Sequence, residues 1–370
     1  MAQEPKKAQR SGYTTGSCAA GAAKAAAQAL LGGAADTAAA VEVRTPSGTY
    51  LRLLIEDLRC NGEQASCAVR KDAGDDPDVT HGVLVYALVE KRPEAGIALA
   101  GGEGIGRVTL PGLDAPVGEA AINKVPRAMI QEHVQDVCGR YGYTGGLRVT
   151  VSIPGGGKIA ERTFNPKLGI KGGLSILGTT GIVEPMSDRG LLGTIRAEFS
   201  VRRAGGETGA VITPGNYGIR FLAEWGRGAF QPVKCGNFIG DSLDMARELG
   251  FTELLVAGHV GKLIKLAAGN FNTHSKYGDP RLEILTAYAG LAGAGRALMG
   301  DLMGCVATEQ ALTLLEGAGL WEEVRCRIFE AIQAHLTRRA QGGIKARAAL
   351  FSSSRGFLGF TAEGCFKPCG

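Results

Sequence analysis

Glycine makes up 57 of the 370 residues, and much of it falls in short clusters directly behind apolar runs. The second half repeats one arrangement. VITPGNYG follows the apolar run 211–213, KCGNFIGDS follows Val233, and LLVAGHVGKLIKLAAG places Gly258 and Gly261 behind 254–257. An apolar strand, a tight glycine turn and an amphipathic helix, taken in series, build an open α/β sheet that holds its ligand beyond the carboxyl ends of its strands. Glycine suits such a turn because it reaches positive φ, and because a missing side chain lets backbone N–H groups approach a ligand. The pattern is that of an enzyme.

Size and charge narrow this. A chain of 370 residues is too long for one core, and two domains are expected, residues 1–190 and 191–370. The net charge of +5 is spread along the sequence, and no basic run carries interleaved aromatics, so nucleic acid is not an expected partner. A mild positive excess suits a polyanionic small molecule. The Ala-rich stretch near the start carries Lys24, Gln28 and Asp36 and is too weakly apolar for an export core. No other stretch approaches the roughly 20 apolar residues of a membrane span. Nine scattered cysteines without a CxxC pair fit reduced thiols in the cytoplasm, with Cys365 and Cys369 as tail thiols and Cys18 as a small buried residue.

Local patterning gives a mixed first half and an alternating second half. TTGS at 14–17 opens a helix reaching about residue 31, strands follow at 41–45, 50–55 and 67–70, and Asp76-Pro77 starts a helix. Residues 97–110 read as a hairpin around GGEGIG, 128–141 as a helix, and 147–153 with 160–164 as a strand pair around PGGG. From about 187 to 266 strand and helix alternate. Helices at 282–299, 306–316 and 321–339 precede a final strand at 346–351. The expected classes are α+β for the first domain and parallel-sheet α/β with C-terminal helices for the second.

Several features compete for chemistry. Gly102–Gly106 imitates a dinucleotide loop but runs into a second strand-like segment instead of a helix. Gly258–Lys262 lacks the upstream glycine and the Ser or Thr of a Walker A loop. Lys262 and Lys265, three apart, share a helix face and either anchor an anion or lie in solvent. The acidic loop Asp72, Asp75, Asp76, Asp78 reads chiefly as caps and turns, with Asp72 kept as a candidate base. His259 follows a strand directly and His274 lies in the polar turn NTHS, which together point to a cleft.

RSGYTTGSCAAGAAKAA, KDAGDDPDVTHG, GGEGIGRVTLPGL with AINKVPRAMI, SILGTTGIVEPMS, KCGNFIGD and GHVGKLIKLAAGNFNTHS occur together and in this order. With these blocks the chain resembles the CbiD family, the cobalt-precorrin-5B C-1 methyltransferases of anaerobic cobalamin biosynthesis, along nearly its whole length. Lys124 departs from the pattern, where a proline is expected. The resemblance implies a first domain like a permuted GHMP-kinase and ribosomal-protein fold and a second, small parallel-sheet domain. It implies transfer of the methyl group of S-adenosylmethionine to ring carbon 1 of a cobalt-bearing tetrapyrrole, with no protein-bound metal. The expected co-substrate contacts are Gly215, Asn216, Gly236, Asn237, Gly258 and His259, at strand ends of the second domain. For the tetrapyrrole carboxylates they are Lys71, Arg127, Lys171, Arg220 and Lys262, and for proton transfer His274 and Asp72. A homo-oligomer fits the late apolar helices. Two rivals remain: a small-molecule kinase, since GGLSILGTTG superficially looks like a phosphate loop, and a non-catalytic tetrapyrrole carrier.

Overall fold

The computed structural model describes residues 9–33, 39–225 and 231–363. Cys365 and Cys369 lie outside them, as does Asp36. The chain divides into two compact units, Met1–Gly190 and Leu191–Gly370.

The first unit is organised around a helix made almost wholly of small residues. After the short strand β1 (Gly12–Tyr13), α1 (Thr15–Gly32) is capped by Thr14, whose Oγ1 accepts from the Ser17 N–H at 3.2 Å. Its alanines favour the helix and keep it thin, so neighbours close on it from several sides. The hairpin β2 (Ala40–Arg44) and β3 (Tyr50–Leu54) is one neighbour, and α2 (Lys124–Arg140) is another. A third is the sheet formed by β4 (Glu56–Cys60), β5 (Gln64–Arg70), β6 (Leu84–Arg92), β7 (Ile97–Gly101) and β9 (Gly146–Ser152). The sheet order is β4-β5-β6-β9-β7, with only β7 and β9 parallel. Alternate residues, Ala65, Cys67 and Val69 on β5 and Val85, Ala87 and Val89 on β6, are buried. At Gly21 a Cβ would stand 2.7 Å from Leu53 Cδ1, which shows how closely hairpin and helix approach.

The remaining short elements are β8 (Arg107–Val108), which pairs with β10 (Ile170–Lys171), α3 (Gly156–Ala160), and β11 (Ile182–Val183), which pairs with β1. Three expectations are corrected here. No helix starts at Asp76-Pro77: Asp78 Oδ1 instead accepts from Thr80, and the chain enters β6. Residues 97–110 are not a hairpin, because β7 pairs with β9 and β8 with β10. Residues 160–164 are no strand; α3 and a turn occupy that stretch. The glycines of GGEGIG serve backbone contact. Gly104 has φ +71°, and a Cβ on it would fall 1.9 Å from the Ile153 carbonyl oxygen.

The second unit begins within α4 (Asp188–Ala204) and continues with β12 (Gly209–Thr213), α5 (Asn216–Trp225), β13 (Val233–Lys234), α6 (Ile239–Glu248) and β14 (Glu253–His259). α7 (Val260–Leu263) and the 3-10 turn Ile264–Ala268 follow, then α8 (Arg281–Leu291), α9 (Arg296–Met303), α10 (Thr308–Gly317) and α11 (Trp321–Ala340). β15 (Lys345–Ser352) and β16 (Gly356–Phe360) close the unit. The expected helix 282–299 is therefore two helices, broken at Ala292–Gly295. The strands lie in the order β13-β12-β14-β15-β16, parallel except for β16. Leu254 and Val256 enter the large core with α6 and α11, while Leu255 and Ala257 meet Leu222 of α5. From β12 the chain passes to β13 on one side and then to β14 on the other. Loops that leave neighbouring strands in opposite directions open a crevice at their carboxyl ends. Among the described residues no helix is long and apolar enough to cross a membrane.

Candidate active site

Six expected co-substrate contacts share the carboxyl edge of the second unit's sheet. Gly215 and Asn216 follow β12, Gly236 and Asn237 follow β13, and Gly258 and His259 end β14. Hydrogen bonds tie the loops together. Lys234 Nζ donates to Asn216 Oδ1 at 2.9 Å, and Asn237 Oδ1 accepts from Lys262 Nζ at 2.6 Å and from Thr273 Oγ1 at 3.1 Å. A Cβ on Gly215 would meet nothing within 4 Å, so no protein contact demands a glycine there. Gly258 differs: a Cβ would stand 3.0 Å from Leu263 Cγ and 3.2 Å from Pro214 Cδ, so it lets the loops close up.

His259 is held from both sides. Its Nδ1 accepts from the Gly261 N–H at 3.1 Å, which places the proton of the neutral ring on Nε2. Nε2 then donates to Glu309 Oε1 at 3.1 Å; the Ser353 N–H, 3.2 Å from Nε2, donates instead to Glu309 Oε1 at 3.1 Å. Glu309 also accepts from Ser352 Oγ, from Ser354 Oγ at 2.7 Å and from Arg355 at 2.6 Å. Burial pushes the Glu309 carboxyl up, but the donors from Ser354, Ser352 and Ser353 outweigh it and the net shift is downward. Ser353 Oγ and the acid meet the same imidazole nitrogen, so the group is not a relay for nucleophilic attack. It clamps the turn after β15 to the end of β14. A shallow cleft of about 480 Å³ lies beside it, lined by Glu309, Thr313, Glu316 and Arg355. Glu309 sits on an ordinary amphipathic helix and gave no signal in the sequence. The Ser352–Arg355 turn could have been read as a fourth strand-end loop.

A second cleft, of about 310 Å³, is lined by Asn237, Lys262, Lys265, Thr273, His274 and Arg281, among others. It joins Lys262 and His274, both expected, to Lys265 and Arg281. His274 Nδ1 accepts from the Lys276 N–H at 3.0 Å, which leaves Nε2–H as the outward group of the neutral ring. As held, His274 offers a donor to the cleft. Arg220 lies elsewhere in this unit, on the exposed side of α5, with its guanidinium 5.3 Å from the centre of the Tyr217 ring.

The other expected residues belong to the first unit. Asp72 forms a bidentate ion pair with Arg10 and accepts from the Gly74 N–H at 2.8 Å. The Arg10 hydrogen bonds, above all, hold its carboxyl down to about 2, so it is a weak proton acceptor. Lys71 is buried and pairs with Asp78 at 2.6 Å. Arg127, in the first turn of α2, is half-buried and 3.9 Å from Glu119, while Lys171 is exposed at the end of β10. Asp75 accepts from the Arg10 N–H and Asp76 from the Met186 N–H, so the acidic loop acts as a clasp on distant backbone.

A family model described as CbiD matches residues 2–185, and one described as CbiD, C-terminal domain, matches residues 272–362. The cobalt-precorrin-5B C(1)-methyltransferase of Ruminiclostridium cellulolyticum is 46% identical over 347 residues, covering 94% of this chain and 90% of that protein. The chain belongs to the CbiD family. The CbiD relative of the same name from a Thermoanaerobacter species is also 46% identical, over 314 residues, covering 85% of this chain and 84% of its own. A CbiD crystal structure, that of the cobalamin biosynthesis protein from Archaeoglobus fulgidus, is 28% identical and covers 73% of this chain and 83% of its own, with a TM-score of 0.39.

Proposed function

We propose that the chain transfers the methyl group of S-adenosylmethionine to ring carbon 1 of cobalt-precorrin-5B, giving cobalt-precorrin-6A. The carrying observation is the 46% identity, along nearly the whole of both chains, to a protein named for that reaction. The co-substrate would lie at the sheet edge formed by Gly215, Asn216, Gly236, Asn237, Gly258 and His259. The site's fit rests on the open space over Gly215, beside loops whose amide side chains are already positioned. When bound, S-adenosylmethionine supplies a sulfonium-activated methyl group. The residues' task is to orient two reactants, and positioning of that kind lowers a barrier by roughly 7–11 kcal/mol. Glu309 fixes His259 as an Nε2–H donor and keeps the turn after β15 against β14. In this geometry His274 presents a donor to the cleft and Asp72 is paired with Arg10. Cobalt arrives with the substrate.

Further proposals stand on the sequence. The first unit is a permuted relative of the GHMP-kinase and ribosomal-protein fold, a reading supported by α1 and α2 packed together against a mixed sheet. Lys71, Arg127, Lys171, Arg220 and Lys262 remain the cations proposed for the substrate, with Lys71 needing to leave Asp78 first. Cytoplasmic action without nucleic acid or membrane is part of the same proposal, and the late apolar helices offer a second copy a surface as readily as they serve the core. The kinase reading loses its phosphate loop: the Leu177 and Gly181 carbonyls accept from Gly16 N–H and Thr14 N–H, so acceptors fill the α1 N-terminus. The test is a thermal-shift titration with S-adenosylhomocysteine beside magnesium-ATP. Ligand at 100 times its dissociation constant stabilises by about 2.7 kcal/mol. Stabilisation by S-adenosylhomocysteine alone, followed by methylation of the cobalt substrate, is expected; stabilisation by ATP alone would overturn the reading.

A further inference from the structure

The cleft between β13 and the turn at 272–281 gathers like charges. Lys265 is buried at 4% exposure; its Nζ donates to the Thr273 and Gly278 carbonyls at 3.2 and 3.3 Å and lies 3.2 Å from Asp279. Asp279 is shared: Arg281 holds it through Nε at 2.6 Å and a second nitrogen at 2.7 Å. Lys262 lines the same cleft, and its Nζ meets an amide oxygen, that of Asn237. Three cations therefore line the cleft, and the one carboxylate paired there among the described residues, Asp279, is held by two of them, Lys265 and Arg281, and not by Lys262. Burial and the neighbouring Lys265 charge push Lys262 down from its ordinary value, the mark of an ammonium short of a counter-charge. Two neutral donors complete the set. His274 presents Nε2–H, and with Asn237 Oδ1 accepting twice, the Asn237 amide nitrogen has no partner among the described residues.

We propose that the cleft of Lys262, Lys265, Arg281, Asn237 and His274 is a carboxylate-binding subsite of the methyl-transfer site. This inference rests on the methyltransferase reading. Within it, Lys265 and Arg281 are fixed by Asp279 and set the field, while Lys262, His274 and the Asn237 amide are free to bond a carboxylate directly. A charged donor bonds a carboxylate more strongly than a neutral one, and a half-buried site is screened less than the surface. Two carboxylate sources exist in the reaction: the methionyl end of the co-substrate and the side chains around the tetrapyrrole.

Calorimetry and kinetics on the full-length Lys262→Met variant separate them, with Lys262→Arg as the charge-retaining control and melting curves to verify folding. If the methionyl carboxylate binds here, Lys262→Met weakens S-adenosylhomocysteine by about ten- to a hundredfold, the loss of one charge-assisted hydrogen bond. Decarboxylated S-adenosylhomocysteine then binds both proteins equally. If a tetrapyrrole carboxylate binds here, S-adenosylhomocysteine affinity holds and KM for the cobalt substrate rises by a similar factor with kcat unchanged. Either result supports the subsite. A folded Lys262→Met protein matching the wild type in both measurements overturns the subsite alone. A wild-type protein that binds no S-adenosylhomocysteine and methylates nothing overturns the methyltransferase reading and the subsite with it.

Discussion

At the scale of the residue, charged groups that look catalytic in the sequence turn out to be divided between clasp and cleft. Asp72 belongs to the clasp. Its folded pKa of about 2 lies below the roughly 3.9 of an unfolded aspartate, so its stabilisation is present above about pH 4 and is lost as pH falls towards 2. The Arg10→Ala variant should therefore melt lower than the wild type at neutral pH and lose less between pH 5 and 2. Melting temperature followed across that range is the check, and parallel curves would refute the assignment. His133 behaves in the opposite chemical sense with the same slope. It is buried, its Nδ1–H donates to the Met129 carbonyl and its Nε2 accepts from the Arg44 N–H at 2.9 Å. Burial lowers its pKa first of all, so the neutral ring is the folded form and its contribution is present above the unfolded value of about 6.5 and falls as pH drops below it. His133→Ala leaves the Arg44 N–H without its acceptor and should cost about 1–3 kcal/mol, read by urea denaturation at pH 8.

At the scale of the element, glycine carries two different meanings that one sequence cannot separate. Gly104 and Gly173 permit backbone crossings: a Cβ on Gly173 would stand 2.3 Å from the Gly104 carbonyl oxygen. Backbone cannot swing aside as a side chain can, so Gly173→Ala is expected to destabilise by at least about 3 kcal/mol and to lower soluble yield. Gly215→Ala, facing open space, should leave the melting curve unmoved and weaken S-adenosylhomocysteine. Equal melting losses for the two would remove the distinction. The alternation behind 211–213 and 254–257 was legible because both strands are buried on both faces and end in a turn, while Val233 is the one buried residue of the short edge strand β13. β6 was not, because the Asp76-Pro77 helix signal stood just ahead of it and its carboxylates were already bonded to Met186 and Lys71, partners distant or unseen in sequence. The same holds for the site. Strand-end residues were readable from position alone, whereas Glu309 and Arg281 acquire meaning only when α10 and α8 reach the cleft.

At the scale of the whole molecule, the mild positive charge has a consequence separable from any single contact. The net charge is +5, and the tetrapyrrole of the proposed reaction is a polycarboxylate, whereas S-adenosylmethionine carries two positive groups against one carboxylate. Long-range attraction between protein and ligand thus favours the macrocycle and works weakly against the co-substrate. Salt shortens the reach of charges from about 30 Å at 0.01 M to about 8 Å at 0.15 M. Raising ionic strength through that range should increase KM for the cobalt substrate several-fold and leave KM for S-adenosylmethionine flat or slightly lower, with kcat unchanged. Lys262→Met should flatten the salt dependence of whichever ligand places its carboxylate in the cleft, because a lost cation removes part of the field that salt screens. Steady-state kinetics at four salt concentrations on both proteins decides it. An S-adenosylmethionine KM that climbs in step with that of the tetrapyrrole in the wild type and in Lys262→Met alike would mean salt acts on the fold or the sheet-edge loops, and not on the attraction between ligand and protein.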